Sequence, residues 1–181
     1  MEDIDIDGPT ALWKWLDANH TRTESVRIVT WKAAHPDKYV SREQVLDALM
    51  AYGWIDGRRF TVDTQRTAQM ISPRKTQAWS QSYKTRVEDL RREGRMHLAG
   101  EAAVAAGKAS GLWDFFDDVD KLIVPDDLAL ALDAALWEAL PPAYRRNVLR
   151  WIKLAKTPAT RQKRIDQATT ATRTGQRIPQ M

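Results

Sequence analysis

Gly53-Trp54-Ile55-Asp56-Gly57 reads as a strand entered and left through glycines, and its reading decides the fold. Trp54 to Asp56 has the aromatic and β-branched residues a pleated, half-buried surface accepts. Gly57-Arg58-Arg59 then reads as a turn and Phe60 to Asp63 as a second short strand. Thr67 to Ser72 reads as a third strand returning antiparallel, ended by Pro73, which has no N–H to give a ladder. Upstream, Val26 to Trp31 alternates β-branched and aromatic residues as a strand does. Between them Ser41 and Gln44 form a capping-box pattern. It opens a helix that faces Val45, Leu46, Leu49 and Met50 inward and closes at Gly53.

Further out the pattern becomes helical. Residues 1–9 read as a loose acidic leader ending at Gly8-Pro9, and Thr10 as the N-cap of a short helix that stops near Asn19-His20. Ser80 to Glu93 is a helix with Tyr83, Val87 and Leu90 on one face and Gly94 as its stop. Ala99 to Ala109 is a small-residue helix interrupted by Gly107. Pro125-Asp126-Asp127 starts a helix that runs on, or breaks and restarts, through Trp137 to Leu140. Pro142 suits the first turn of the next. Thr157-Pro158 opens a last helix to about Thr172, after which Thr174 to Met181 should fray. The expected class is α+β, with a small antiparallel sheet and helices in the N-terminal half and an all-helical C-terminal half. Residues 10–95 form the α+β subdomain and 96–175 the helical one, together a single compact unit.

A chain of 181 residues with 43% hydrophobic content and eight tryptophans can bury a core. It has no cysteine, which excludes disulfides, thiolate catalysis and cysteine-ligated metal. The acidic start lacks the basic and apolar regions of a signal peptide. No run reaches the roughly 18 apolar residues a membrane span needs. A cytoplasmic protein is expected. Charge is segregated: residues 101–142 carry 2 basic and 9 acidic groups, whereas residues 143–181 carry 10 and 1. Such blocks pair with one another or leave a basic face for an anionic partner.

Chemistry concentrates around the opening stretch. Asp56, at a strand end, suits a general base, a ligand acceptor or the partner of Arg74. Arg74-Lys75 after Pro73 is a stiffened pair of cations, fit for a carboxylate or phosphate or for an exposed turn. Trp54 and Trp79 either wall a pocket or belong to the core. Ser80 has no neighbouring histidine to make it a nucleophile. His20, His35 and His97 are scattered without metal-ligand spacing and read as surface or helix-end residues. Asp114, Asp117, Asp118 and Asp120 lack the glycine and final glutamate of a calcium loop and read as a solvated loop. Arg146, Arg150, Lys153, Arg161 and Arg164, on two successive helices, form a second candidate site for anions. No nucleic-acid motif frames them, and covering the acidic block accounts for much of their charge.

The ordered set of motifs resembles a known family. It comprises Gly53 to Gly57, Ser72-Pro73-Arg74-Lys75, Trp79-Ser80, Leu90 with Gly94-Arg95-Met96, and Gly111-Leu112-Trp113. It continues with Pro125-Asp126-Asp127-Leu128, Trp151-Ile152, Ala155-Lys156, Thr160-Arg161 and Arg164-Ile165. Together, across roughly residues 10 to 175, these resemble the YdeI/OmpD-associated (OmdA), or bacteriocin-protection, family. The resemblance implies a small bacterial protein linked to stress tolerance and to resistance against cationic antimicrobial peptides, with no established reaction and no catalytic residues to transfer. Relatives often carry a cysteine where this chain has Met50-Ala51-Tyr52 before Gly53. The leading expectation is a non-enzymatic protection protein that needs no cofactor or metal. It would bind a polar or anionic ligand, or a protein partner, through Trp54, Asp56, Arg74, Lys75, Trp79 and Ser80. An enzyme using Asp56 as base with Arg74 or Lys75 as anion clamp is the rival. A nucleic-acid or anionic-surface binder, disfavoured by the missing motif, is the third reading.

Overall fold

In the computed structural model, which describes residues 1–178, Val26–Trp31 is an inner strand of a four-stranded sheet. The strands are β1 (Asp3–Ile6), β2 (Val26–Trp31), β3 (Trp54–Thr61) and β4 (Arg66–Pro73), ordered β1-β2-β4-β3. β2 pairs antiparallel with β4, Val26 opposite Ile71 and Trp31 opposite Arg66, and β4 pairs antiparallel with β3. β1 corrects the expectation of a loose leader and makes the sheet mixed, since it lies parallel to β2 with Asp3 opposite Arg27. Its acids alternate with Ile4 and Ile6, a period of two that charge content disguises. Ile6 is buried, Arg27 Nε donates to Asp3 Oδ1 at 2.5 Å, and Trp31 Nε1 donates to Asp7 Oδ1 at 2.7 Å.

Three further expectations change at element ends. The helix α1 (Pro9–Asn19) takes Gly8 as N-cap and Pro9 in its first turn, so Thr10 is already inside it. Gly57-Arg58-Arg59 is no turn: β3 runs through it with a register shift between Asp56 and Arg59, and such a bulge bends a strand without ending it. The reversal comes instead at Asp63, whose Oδ1 accepts the N–H groups of Gln65 and Arg66 at 2.8 and 2.7 Å.

The helices α2 (Arg42–Ala51), α3 (Gln81–Arg92) and α4 (Leu98–Ala109) complete the first of two units, Met1–Asp114. The Ser41–Gln44 capping box is formed in both directions. The core joins Leu12 and Leu16 to Ile28, Leu49, Ile71 and Leu90. α4 is continuous, so Gly107 does not interrupt it. It is small because the ring of Trp79 lies against it: an added Cβ would stand 2.4 Å from Trp79 Nε1.

The second unit, Phe115–Met181, is helical. Its elements are α5 (Asp117–Asp120), α6 (Asp126–Ala129), α7 (Ala134–Glu138), α8 (Pro142–Lys153) and α9 (Pro158–Thr174). The stretch expected as a solvated acidic loop contains a helical turn, α5, because Val119 is buried within it. The helix from Asp126 breaks and restarts, with Asp133 Oδ1 accepting the Leu136 N–H at 3.1 Å. α9 closes at Gly175, whose φ of 67° is the left-handed cap glycine supplies freely. The expected fraying does not begin at Thr174: Ile178 is buried and its N–H donates to Tyr144 Oη at 3.1 Å. Residues 179–181 lie outside the described residues. Among the described residues no helix is long and apolar enough to cross a membrane.

Candidate functional site

β3, β4 and α3 bring together three of the six residues expected near the opening stretch. Asp56 Oδ1 accepts the hydroxyl of Tyr83 at 2.6 Å, and Gln69 Nε2 approaches Oδ2 at 3.5 Å. Arg74 leaves β4 through its N–H, which donates to Gly53 O at 2.9 Å. Its guanidinium lies 3.9 Å from the Trp79 ring centroid and 5.1 Å from that of Tyr83, a cation stacked on aromatic faces. Nη1 donates to the carbonyls of Gln77 at 3.1 Å and Ala78 at 3.5 Å. Nε and Nη2 are shielded from solvent and have no hydrogen-bond partner among the described residues. No ion pair joins Arg74 to Asp56 among those residues, so the structural pairing weighed from sequence is replaced by a relay through Tyr83.

The other three residues are placed elsewhere. Trp54 is wholly buried, edge-on to Trp15 at 5.8 Å, with Nε1 donating to His20 O at 3.4 Å. It is a core residue. Lys75 is exposed and Nζ reaches Thr23 O at 3.5 Å. Ser80 precedes α3 as its N-cap residue, with its Oγ 2.9 Å from Ser82 Oγ. Trp79, whose ring carries Arg74, is also a core residue, since only 1% of it is exposed. Tyr83 and Gln69 were missed by the sequence reading. A tyrosine on an apolar helix face needs a partner for its hydroxyl, and that was the available signal.

Burial first, then donation to Asp56 and the Asp56 charge, pushes the Tyr83 hydroxyl up to about 12. An acid raised in the folded state above its unfolded value near 10 contributes stability that is intact below about pH 10 and lost as pH rises towards 12. The protein should therefore lose about 1–2 kcal/mol more than Tyr83→Phe across that window. Urea unfolding at the two pH limits measures this, and equal losses would remove Tyr83 as the titrating group. Burial also lowers Arg74, to about 10, against the opposing charges of Tyr83 and Asp56. Guanidinium keeps its proton in proteins, so the lowering measures how poorly the charge is solvated.

In the second unit the five basic candidates all have partners. Arg146 and Arg150 lie 3.8 Å from Asp120, Lys153 donates to Asp118 at 2.6 Å, and Arg161 makes a two-pronged bond to Asp127 at 2.6 and 2.8 Å. Arg164 donates to Trp151 O and stacks over its ring at 5.0 Å. These acids belong to the acidic block of residues 101–142, so the segregated charge meets within the unit. His97 caps α4, its Nδ1 accepting the Ala99 N–H at 3.1 Å. No cluster suited to a metal occurs among the described residues.

Comparison with known proteins divides the chain as its contacts do. Residues 4–103 match the family described as Domain of unknown function (DUF8412), and residues 121–175 match Bacteriocin-protection, YdeI or OmpD-Associated (OmdA). The motifs around Gly53 and Pro73 thus lie in the first match and those after Lys121 in the second. No curated protein and no solved structure matches the chain. The chain belongs to the DUF8412 family through residues 4–103 and carries an OmdA, YdeI/OmpD-associated domain over residues 121–175.

Proposed function

We propose that this is a non-catalytic protection protein of the bacterial cytoplasm that binds a small polar anion at Arg74. One observation carries the reading: a guanidinium held in place by two carbonyls and an indole leaves two shielded nitrogens without acceptors among the described residues. Unmatched buried donors are costly, and an anion offsets that cost. Among the described residues Arg145 and Arg150 also leave a buried nitrogen unpartnered, but only one each, and both pair with acids. The protective role is supported by the description of the family that residues 121–175 match. Asp56 gives one carboxylate oxygen to Tyr83, and Ser80 contacts Ser82 with no base beside it among the described residues, which favours binding over turnover.

Thermal unfolding in the presence of acetate and of inorganic phosphate tests this. An anion at a hundred times its Kd should stabilise the protein by about 2.7 kcal/mol. Arg74→Gln, which keeps a polar side chain, should lose that gain. A gain of equal size in the variant would take Arg74 out of the site.

A further inference from the structure

The two nitrogens left by Arg74 form a specific pair. With Nη1 turned to Gln77 O and Ala78 O, the remaining donors are Nε and Nη2. Their N–H bonds run parallel along one edge of the guanidinium plane, the fork that two oxygens of a carboxylate or phosphate fit. The Trp79 ring covers one face of that plane at 3.9 Å and the edge itself is shielded from solvent, so an acceptor arrives edge-on as that edge opens.

Asp56 supplies a second, opposite half. Its Oδ1 accepts the short Tyr83 bond, whereas among the described residues Oδ2 has only the 3.5 Å contact from Gln69. A donor fork and an acceptor with lone pairs to spare therefore flank one tyrosine, with opposite charges and no ion pair between them among the described residues. The nearby carboxylate works against a dianion. A ligand that carries both signs meets both halves.

We propose that the site takes a small zwitterion of the amino-acid class, its carboxylate on the Nε–Nη2 edge of Arg74 and its ammonium on Asp56 Oδ2. The inference rests on the anion-binding reading above and adds the ligand's second charge.

Calorimetric titration of the full chain with glycine, β-alanine and 4-aminobutanoate tests it, since these set the two charges at increasing separation. Acetate, methylammonium and inorganic phosphate serve as single-sign probes. At least one zwitterion should bind about tenfold tighter than acetate. Arg74→Gln should abolish both. Asp56→Asn should reduce the zwitterion to the level of acetate while acetate holds or tightens. If that variant does not fold, Asp56→Ser removes the same charge with a smaller side chain and should likewise cut zwitterion affinity to that of acetate. Acetate matching every zwitterion, or phosphate outbinding them, overturns this inference and leaves the anion reading standing. Binding of none of the probes overturns both.

Discussion

Gly53→Ala is expected to destabilise the protein by about 2–5 kcal/mol, the sum of left-handed backbone strain and overpacking. Gly53 sits at φ 72° after α2, and an added Cβ would lie 2.8 Å from Ala99 O and 2.9 Å from Ala103 Cβ. The first of these is backbone of α4, whose N-cap His97 donates its N–H to Ala51 O of α2 at 3.1 Å, so α4 cannot retreat alone. Gly94 provides the control: its φ is 66°, yet nothing lies within 4 Å of an added Cβ. Gly94→Ala should then show the strain by itself, about 1–2 kcal/mol. The difference between the two variants in urea unfolding isolates the α2–α4 approach. Equal losses would mean that α4 does not press on Gly53. Because Gly53 O holds the Arg74 N–H, the same variant should also weaken anion binding at Arg74.

Local signals carried the helix ends and the strand content, because caps, prolines and β-branched runs act over a few residues. The Ser41–Gln44 box, the Pro142 start of α8 and the Thr157 cap are of that kind. Signals that need a distant partner did not show. Asp3 to Ile6 becomes a strand only because β2 offers Arg27 opposite Asp3. Ile178 is held by Tyr144, far back along the chain. Gly57 was a turn by composition, yet the pairing of β3 with β4 on both sides keeps it within a strand.

The candidate site divides in the same way. Its cation and its carboxylate were legible as charged residues beside glycine and proline. Their relation was not, because Tyr83 joins them from a helix that follows both strands. Trp54 shows the converse. An aromatic at the end of a strand carries the same sequence signal whether it lines a cleft or fills a core, and only the position of Trp15 decided for the core. The basic helices read as an anion surface until α5 and α6 placed Asp118, Asp120 and Asp127 against them.

Gly107→Ala should change sign with the residue at position 79. In the native background the new methyl meets Trp79 Nε1 at 2.4 Å and Cδ1 at 3.0 Å. Trp79 is 1% exposed, packed against Trp113 at 5.0 Å, and its backbone N–H donates to Leu112 O at 3.0 Å. It has nowhere to go, so the substitution should cost about 1–3 kcal/mol. Trp79→Ala alone removes a buried indole and should cost about 3–5 kcal/mol. With the ring gone, the methyl at position 107 enters free space, and alanine in a helix is favoured over glycine by up to about 1 kcal/mol. The double variant should therefore be more stable than Trp79→Ala, with a coupling on the order of 2–3 kcal/mol. Should Trp79→Ala be too unstable for urea unfolding, Trp79→Leu leaves the same space at position 107. An equal loss from Gly107→Ala in both backgrounds would mean that the helix, not the indole, demands glycine there. The cycle also bears on the site, because the face of Trp79 carries Arg74 at 3.9 Å: a methyl that shifts the ring from below should lower anion affinity without touching the guanidinium.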